Sequence, residues 1–222
     1  MTTRVIQLVP EEFYHVYNRG TDKRVIFLDP ADYTRFTELL FLSNSKRAVN
    51  VRDIKVGERT VFDFNRGDNL VAIGAYCLMP NHFHILVTPL IEDGVSMFMS
   101  KLCTGYSMYF NRRYKRTGAL FQGTFKSEHV DSDEYLKYLY SYIHLNPIKL
   151  IDKNWKEEGI QSADTAFSYV AQFQYSSLID YLGVSRSEKV IINPTPYPEY
   201  FSKHSDLKAE LLQWITFNPK LP

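Results

Sequence analysis

The chain has 222 residues, 45% apolar and 15% aromatic, enough for one domain with an appendage or two small domains with a packed core. A formal charge of +1 by itself argues neither for nor against a nucleic-acid partner, and the two cysteines, Cys77 and Cys103, form no metal or redox motif and read as buried free thiols of a reducing compartment. MTTRVIQLVP lacks the apolar core of a signal peptide and no run is long enough for a bilayer, so a cytoplasmic protein without a membrane partner is expected.

In chain order, FYHVYNR (residues 13–19) is aromatic and β-branched and predicts a strand that Gly20 ends. Asp29-Pro30 opens a helix to about Ser43, with Pro30 in the first turn and Phe36, Leu39 and Leu40 at helical spacing. Residues 44–58 are polar and read as a loop or weak strand, and Val61 to Phe64 as a short strand. Leu70 to Leu78 is a strand, joined by Met79-Pro80-Asn81 to another that stops near Thr88-Pro89. Gly94 to about Tyr114 is a long helix, and Leu120 to Val130 a strand or extended segment. A helix capped by Asp131, with Glu134 completing a capping box, should end at Asn146 because Pro147 disfavours helical geometry in the residue before it. Residues 152–166 read as a polar connection, Tyr175 to Leu182 as a short helix, residues 185–200 with three prolines as an extended linker, and Asp206 to Thr216 as a terminal helix. The order strand, helix, strands, helix, strand, helix predicts an α+β fold: a ferredoxin-like (RRM-like) antiparallel sheet with helices on one face and a C-terminal extension.

PNHFHILV (residues 80–87) carries the most information. Alternate strand residues share a face, so His82 and His84 lie side by side while Phe83, Ile85 and Val87 turn to the core. The helix from Asp131 places Tyr135, Tyr138, Tyr142 and Asn146 on one face. If that face packs beside the histidines, His82, His84 and the Asn146 side-chain oxygen can hold a divalent cation next to the Tyr142 phenol, with Tyr138 one turn away as the alternative nucleophile. That set suits phosphodiester cleavage: the cation polarises the phosphate and the tyrosine attacks it. Imidazoles suit manganese; magnesium serves if phosphates and waters complete its oxygen shell. Each part also has a plain structural reading: histidines hydrogen-bonded or exposed on a strand, tyrosines as an amphipathic core stripe, and asparagine before proline as a helix terminator. From Gly94 to Ser127 there is no acidic residue, while Lys101, Arg112, Arg113, Lys115, Arg116 and Lys126 alternate with Tyr106, Tyr109, Phe110, Tyr114, Phe121 and Phe125. Two readings stand: a surface where phosphates are neutralised and bases stack, or a solvated basic helix packed on its own aromatic stripe.

PNHFHILV and YSYIHLNPIK, with FYHVYNRG, NRRYKRTGALFQGTFKS and YSSLIDYLG, resemble the single-tyrosine HUH transposases, and among them the REP-associated tyrosine transposases, a bacterial branch. HUH denotes two histidines flanking a bulky hydrophobic residue, here Phe83. The resemblance spans roughly residues 10 to 183. It implies a nuclease/transposase domain over residues 1–150 and an extension of loops and short helices over 151–222. It implies metal-dependent cutting and joining of single-stranded DNA near hairpins or palindromes, with Mg2+ or Mn2+, a 5′-phosphotyrosine intermediate and a free 3′-hydroxyl. Residue by residue, His82 and His84 match the histidine pair and Tyr142 the nucleophile. Asn146 stands where many relatives have glutamine. A nucleoid-associated monomer or homodimer follows as the expected state. Competing expectations are a catalytically silent module that binds hairpin nucleic acid, and a metallohydrolase of small substrates.

Overall fold

The computed structural model describes residues 8–49, 54, 60–200 and 204–217. Four strands, β1 (Phe13–Arg19), β2 (Val71–Met79), β3 (His82–Pro89) and β4 (Lys126–Val130), form one sheet in the order β2-β3-β1-β4 with every pairing antiparallel. Helix α1 (Pro30–Ser43) links β1 to β2, and α2 (Gly94–Arg113) links β3 to β4, which gives the ferredoxin-like connectivity. Asp29 caps α1 by accepting from the Asp32 amide at 3.1 Å, and Pro30 sits where a missing N–H costs nothing. α3 (Asp133–Leu145) follows β4.

The strand alternation of β3 sorts the core. Phe83, Ile85 and Val87 pack with Phe36 and Leu40 of α1 and Phe98, Leu102 and Tyr106 of α2. On the opposite face, Leu86 packs with Ala72, Ala75 and Cys77 of β2 and with Leu136, Leu139, Tyr140 and Ile143 of α3. Helices therefore cover both faces, not one as expected, because α3 carries a second apolar stripe that needs its own side of the sheet. A register shift at Gly74 lets Ile73 and Ala75 point to different faces.

The C-terminal third completes this sheet. The elements are α4 (Trp155–Glu158), α5 (Ala163–Ala171), α6 (Leu178–Tyr181) and α7 (His204–Phe217). The Ser177 amide donates to the Tyr76 carbonyl at 3.0 Å, the Leu78 amide to the Tyr175 carbonyl at 2.9 Å, and the Asn193 amide to the Ile73 carbonyl at 2.9 Å. The outer edge of β2 is thus closed. Tyr197 is buried and donates to the Ala72 carbonyl at 2.9 Å; a Cβ on Gly74 would lie 2.7 Å from its ring, so only glycine admits this approach. A further cluster joins Leu145, Ile148, Trp155, Phe167, Leu178 and Leu211.

Several local expectations change. Val61–Asp63 is a 3-10 turn, not a strand, with Thr60 and Asp63 in a capping box. β4 begins only at Lys126, so residues 120–125 do not belong to the strand. The cap of α3 is Ser132, whose hydroxyl accepts from the Tyr135 amide at 3.3 Å, not Asp131. The α-helix ends with Asn146 as its C-cap, as expected, but Asn146 keeps helical geometry (φ −52°, ψ −39°) before Pro147, and the chain tightens into a 3-10 turn to Leu150. The polar connection over 152–166 holds α4 and the start of α5, and the short helix from Tyr175 is confined to Leu178–Tyr181. The expected linker over 185–200 contains a 3-10 turn, Ser187–Ile191, and anchors Ile191 and Tyr197 in the two clusters that flank the sheet. Most of the weak strand or loop expected over 44–58 lies outside the described residues.

Candidate active site

The site lies on the α3 face of the sheet. His82 and His84 point there, with ring centroids 5.0 Å apart and planes perpendicular. Tyr142 of α3 stands edge-on to His84, centroids 5.4 Å apart. Asn146 is one turn further and 3% exposed; its Nδ2 donates to the Tyr142 carbonyl at 3.1 Å, while its Oδ1 has no hydrogen-bond partner. A buried, unpartnered acceptor costs free energy unless something else meets it.

The histidine nitrogens are sorted by their neighbours. His82 Nδ1 lies 2.6 Å from the acceptor Asn81 Oδ1, so Nδ1 carries the proton and Nε2 keeps its lone pair. His84 Nδ1 lies 2.8 Å from His15 Nε2. Burial holds His82 down to about 4, and holds His84 well below the usual histidine range, so both are neutral near pH 7. Further positive charge from Arg19 and Lys149 acts on His82, and His84 also feels His15, His82, Lys149 and Lys156. Two neutral imidazoles and one orphaned amide oxygen are a donor set that fits a divalent cation. Among the described residues no three His, Cys, Asp or Glu side chains form a metal-binding group, and the Asn146 amide oxygen is a further oxygen donor on this side of the sheet.

Tyr142 is half-buried, and desolvation raises its phenol above the usual value, partly offset by the Asn146 amide. The Lys156 ammonium sits 4.6 Å from the centre of its ring, and burial lowers that lysine to about 8. Tyr138, the alternative nucleophile, is buried, has an unpartnered hydroxyl and packs edge-on to Trp214 of α7 at 4.8 Å. Tyr135 reaches the Glu128 carboxylate at 3.5 Å.

The expected basic residues divide. Lys126 pairs in register with Tyr17, which pairs with His84, so all three share the site face. Lys101, Arg112 and Arg113 line a cavity of about 880 Å³ between α1 and α2, behind the opposite face. Arg113 bonds Asp29 at 2.5 Å and the fully buried Asp32 at 3.3 Å; Lys101 donates to the carbonyls of Ser45 and Arg47; Arg116 bonds Asn111. Tyr106, Phe110 and Phe121 are buried in the core, so the stacking role expected for them is corrected: on these rings the packed-stripe reading holds. Sequence reasoning left Arg19, Lys149, Lys156, His15 and Glu128 unassigned. The period-2 pattern of FYHVYNR was a signal for His15 and Arg19 alone, and neither the cross-strand register that brings in Glu128 nor the turns that carry Lys149 and Lys156 to the site is local information.

The family model for IS200-like transposases matches residues 35–146, just over half of the chain, and spans both histidines, Tyr142 and Asn146. A solved structure of a REP-associated tyrosine transposase bound to a REP hairpin superposes with a TM-score of 0.51 at 14% identity, covering 85% of this chain and 90% of that one. At that identity the likeness shows the fold alone. No curated protein matches by sequence. With the match reaching from the middle of α1 to the last residue of the Tyr142–Asn146 pair, the chain belongs to the IS200-like transposase family.

Proposed function

We propose that this transposase cuts and rejoins single-stranded DNA beside hairpins or palindromes, with Tyr142 as nucleophile and His82, His84 and Asn146 as holders of one divalent cation, Mg2+ or Mn2+. The observation that carries this reading is the buried, unpartnered Asn146 Oδ1 one turn from Tyr142, whose ring stands edge-on to the His84 imidazole, with His82 and His84 both neutral near pH 7. A bound cation supplies polarisation of the scissile phosphate and offsets the charge that grows on it. The Tyr142 oxygen attacks phosphorus, the bond from phosphorus to the 3′ oxygen breaks, and a 5′-phosphotyrosine and a 3′-hydroxyl result. The phenol's proton passes to solvent and the departing 3′ oxygen takes one from it. Burial disfavours the phenolate, the Asn146 amide partly offsets that, and the Lys156 ammonium stands 4.6 Å from the centre of the ring. Arg19, Lys149, Lys156 and Lys126 form the DNA path on the site face. Arg112, Lys115 and Arg116, with Lys101 and Arg113 behind them, are the outer flank that a long substrate can reach.

The test is incubation of the purified protein with a single-stranded hairpin oligonucleotide and Mn2+, followed by denaturing gel and peptide mass spectrometry. A DNA adduct on Tyr142 is expected, absent with chelator and absent in Tyr142→Phe, which retains binding. Adduct on Tyr138, or tight hairpin binding with no cleavage under any divalent cation, overturns the assignment; the second outcome describes a silent hairpin-binding module.

A further inference from the structure

The sheet aligns three more side chains behind His84. His15 of β1 pairs in register with Leu86 of β3 and with Glu128 of β4, so it shares the site face and lies diagonally beside His84, which pairs with Tyr17. Diagonal neighbours across antiparallel strands are within reach of ring side chains. The reach is used: His15 Nε2 is 2.8 Å from His84 Nδ1, the two rings stack with centroids 5.0 Å apart, and His15 Nδ1 is 3.7 Å from Glu128 Oε2. Tyr17 donates to Glu128 Oε1 at 2.7 Å and Tyr135 to Oε2 at 3.5 Å, so the carboxylate is gripped from two sides.

These contacts bias the proton positions. An ionised carboxylate attracts an N–H, and Glu128 Oε2 stands 3.7 Å from His15 Nδ1, at ion-pair range, so the carboxylate's field favours hydrogen on that nitrogen. In its neutral form that imidazole has a single N–H, and Nε2 is then an acceptor. The only donor opposite it is His84 Nδ1–H, and His84 Nε2 is left with its lone pair. His82 reaches the same state by a separate route, through Asn81 Oδ1. Both histidines therefore offer the same nitrogen, each held by its own partner.

We infer that His15 and Glu128 are positioning residues that act through His84: the line Glu128–His15–His84 locks the His84 ring and its tautomer so that Nε2 is the ligating atom. This inference rests on the metal reading above, and the tautomer it concerns exists in the metal-free protein. Outer partners of ligating histidines commonly govern metal affinity by 10–100-fold. A second imidazole between carboxylate and ligand also makes the lock sensitive to two residues far apart in sequence.

The test uses the full chain, His15→Leu, His15→Gln and Glu128→Ala, with thermal unfolding confirming each fold. Long-range 1H–15N correlation spectra of the metal-free protein read the His84 tautomer, and Mn2+ titration followed by electron paramagnetic resonance reads affinity. The parent should show His84 protonated at Nδ1 only. His15→Leu should mix the tautomers and weaken Mn2+ by about 10–100-fold. His15→Gln, whose side-chain carbonyl can accept in place of Nε2, should restore most of both. Glu128→Ala, at a half-exposed position that folding tolerates, should mix the tautomers with the His15 ring still present. A folded His15→Leu or Glu128→Ala with the parental tautomer and parental Mn2+ affinity overturns the inference. If the parent itself binds no Mn2+ in a manner that His82→Ala abolishes, the metal reading fails instead, and the role of His15 with it.

Discussion

Among single residues, His144 has the most consequential titration outside the site. It is fully buried on α3, its Nε2 is 2.9 Å from the Ser177 hydroxyl, and its Nδ1 has no partner. Burial lowers it from 6.5 to about 3, in the same direction as His82 at about 4. A histidine whose folded value is depressed is neutral in the native state, while the unfolded chain takes up a proton near 6.5. Its contribution is intact above that pH and is lost as pH falls toward the folded value. Between pH 7 and pH 4.5 the native state should lose about 2–3 kcal/mol for a buried histidine of this kind. Urea midpoints across that range check it: His144→Gln should flatten the dependence, and a parental slope in that variant removes His144 as its cause. Arg113 has a different role from its basic neighbours. The carboxylate of Asp32 is fully buried and takes bonds from the Leu28 amide, Tyr114 and Tyr109 as well as Arg113, so this arginine completes a structural knot at the start of α1.

At the level of elements, α3 carries Tyr142 to the face of His84, and its start is set by one hydroxyl. Ser132→Ala should cost about 1 kcal/mol in thermal or chemical unfolding, whereas Asp131→Ala, just outside the cap, should cost a few tenths. Equal losses in the two variants would return the cap to Asp131. DNA affinity separates the two basic surfaces in the same spirit. Replacing Arg19 and Lys149 with alanine should lower the log–log salt slope for a single strand by about 0.7 for each phosphate that is no longer neutralised. Removing Arg112 and Lys115 should change it less. The reverse order in fluorescence titrations at several salt concentrations would move the DNA path to α2. How much of this was legible follows from which interactions are local. The periods of FYHVYNR and PNHFHILV and the three- and four-residue spacing of α3 were readable because alternation and helical pitch are properties of the segment itself. The same patterns could not show that α3 needs its own face of the sheet, nor that Tyr106 and Phe110 turn inward while Arg112 turns out, because an amphipathic helix looks alike whether its ring stripe meets a core or a base. His15 and Glu128 were invisible as a pair for a related reason: 113 positions separate them and only strand register joins them.

Over the whole molecule, the region after residue 150 packs against the sheet and α3. Tyr197 packs on β2 and bonds its carbonyl row, Trp214 covers Tyr138, and Lys137 of α3 pairs with Glu210 of α7 at 3.0 Å. A chain truncated after residue 150 should therefore fail to give cooperative unfolding, even though it retains His82, His84, Tyr142 and Asn146. Tyr197→Ala in the full chain should cost about 3–5 kcal/mol, as large ring deletions from a core do. A soluble, cooperatively folded 1–150 fragment would show instead that the expected domain division is a real one.

The closed edge of β2 has a consequence in time. The amide of Tyr76 is met by the hydroxyl of Ser177, 101 positions downstream. At roughly 5–20 residues per second, a ribosome needs about 5–20 s to deliver that partner after β2 has emerged. Through that interval a nine-residue, fully buried strand stands with one side unpaired, in the company of other nascent chains bearing the same bare strand. Such an edge is a template for pairing between chains. The yield of this protein in a cell should accordingly depend on how fast its last third is translated: pausing after codon 150 should send newly made chains into inclusion bodies, and holding the growing chain on a chaperone should recover them.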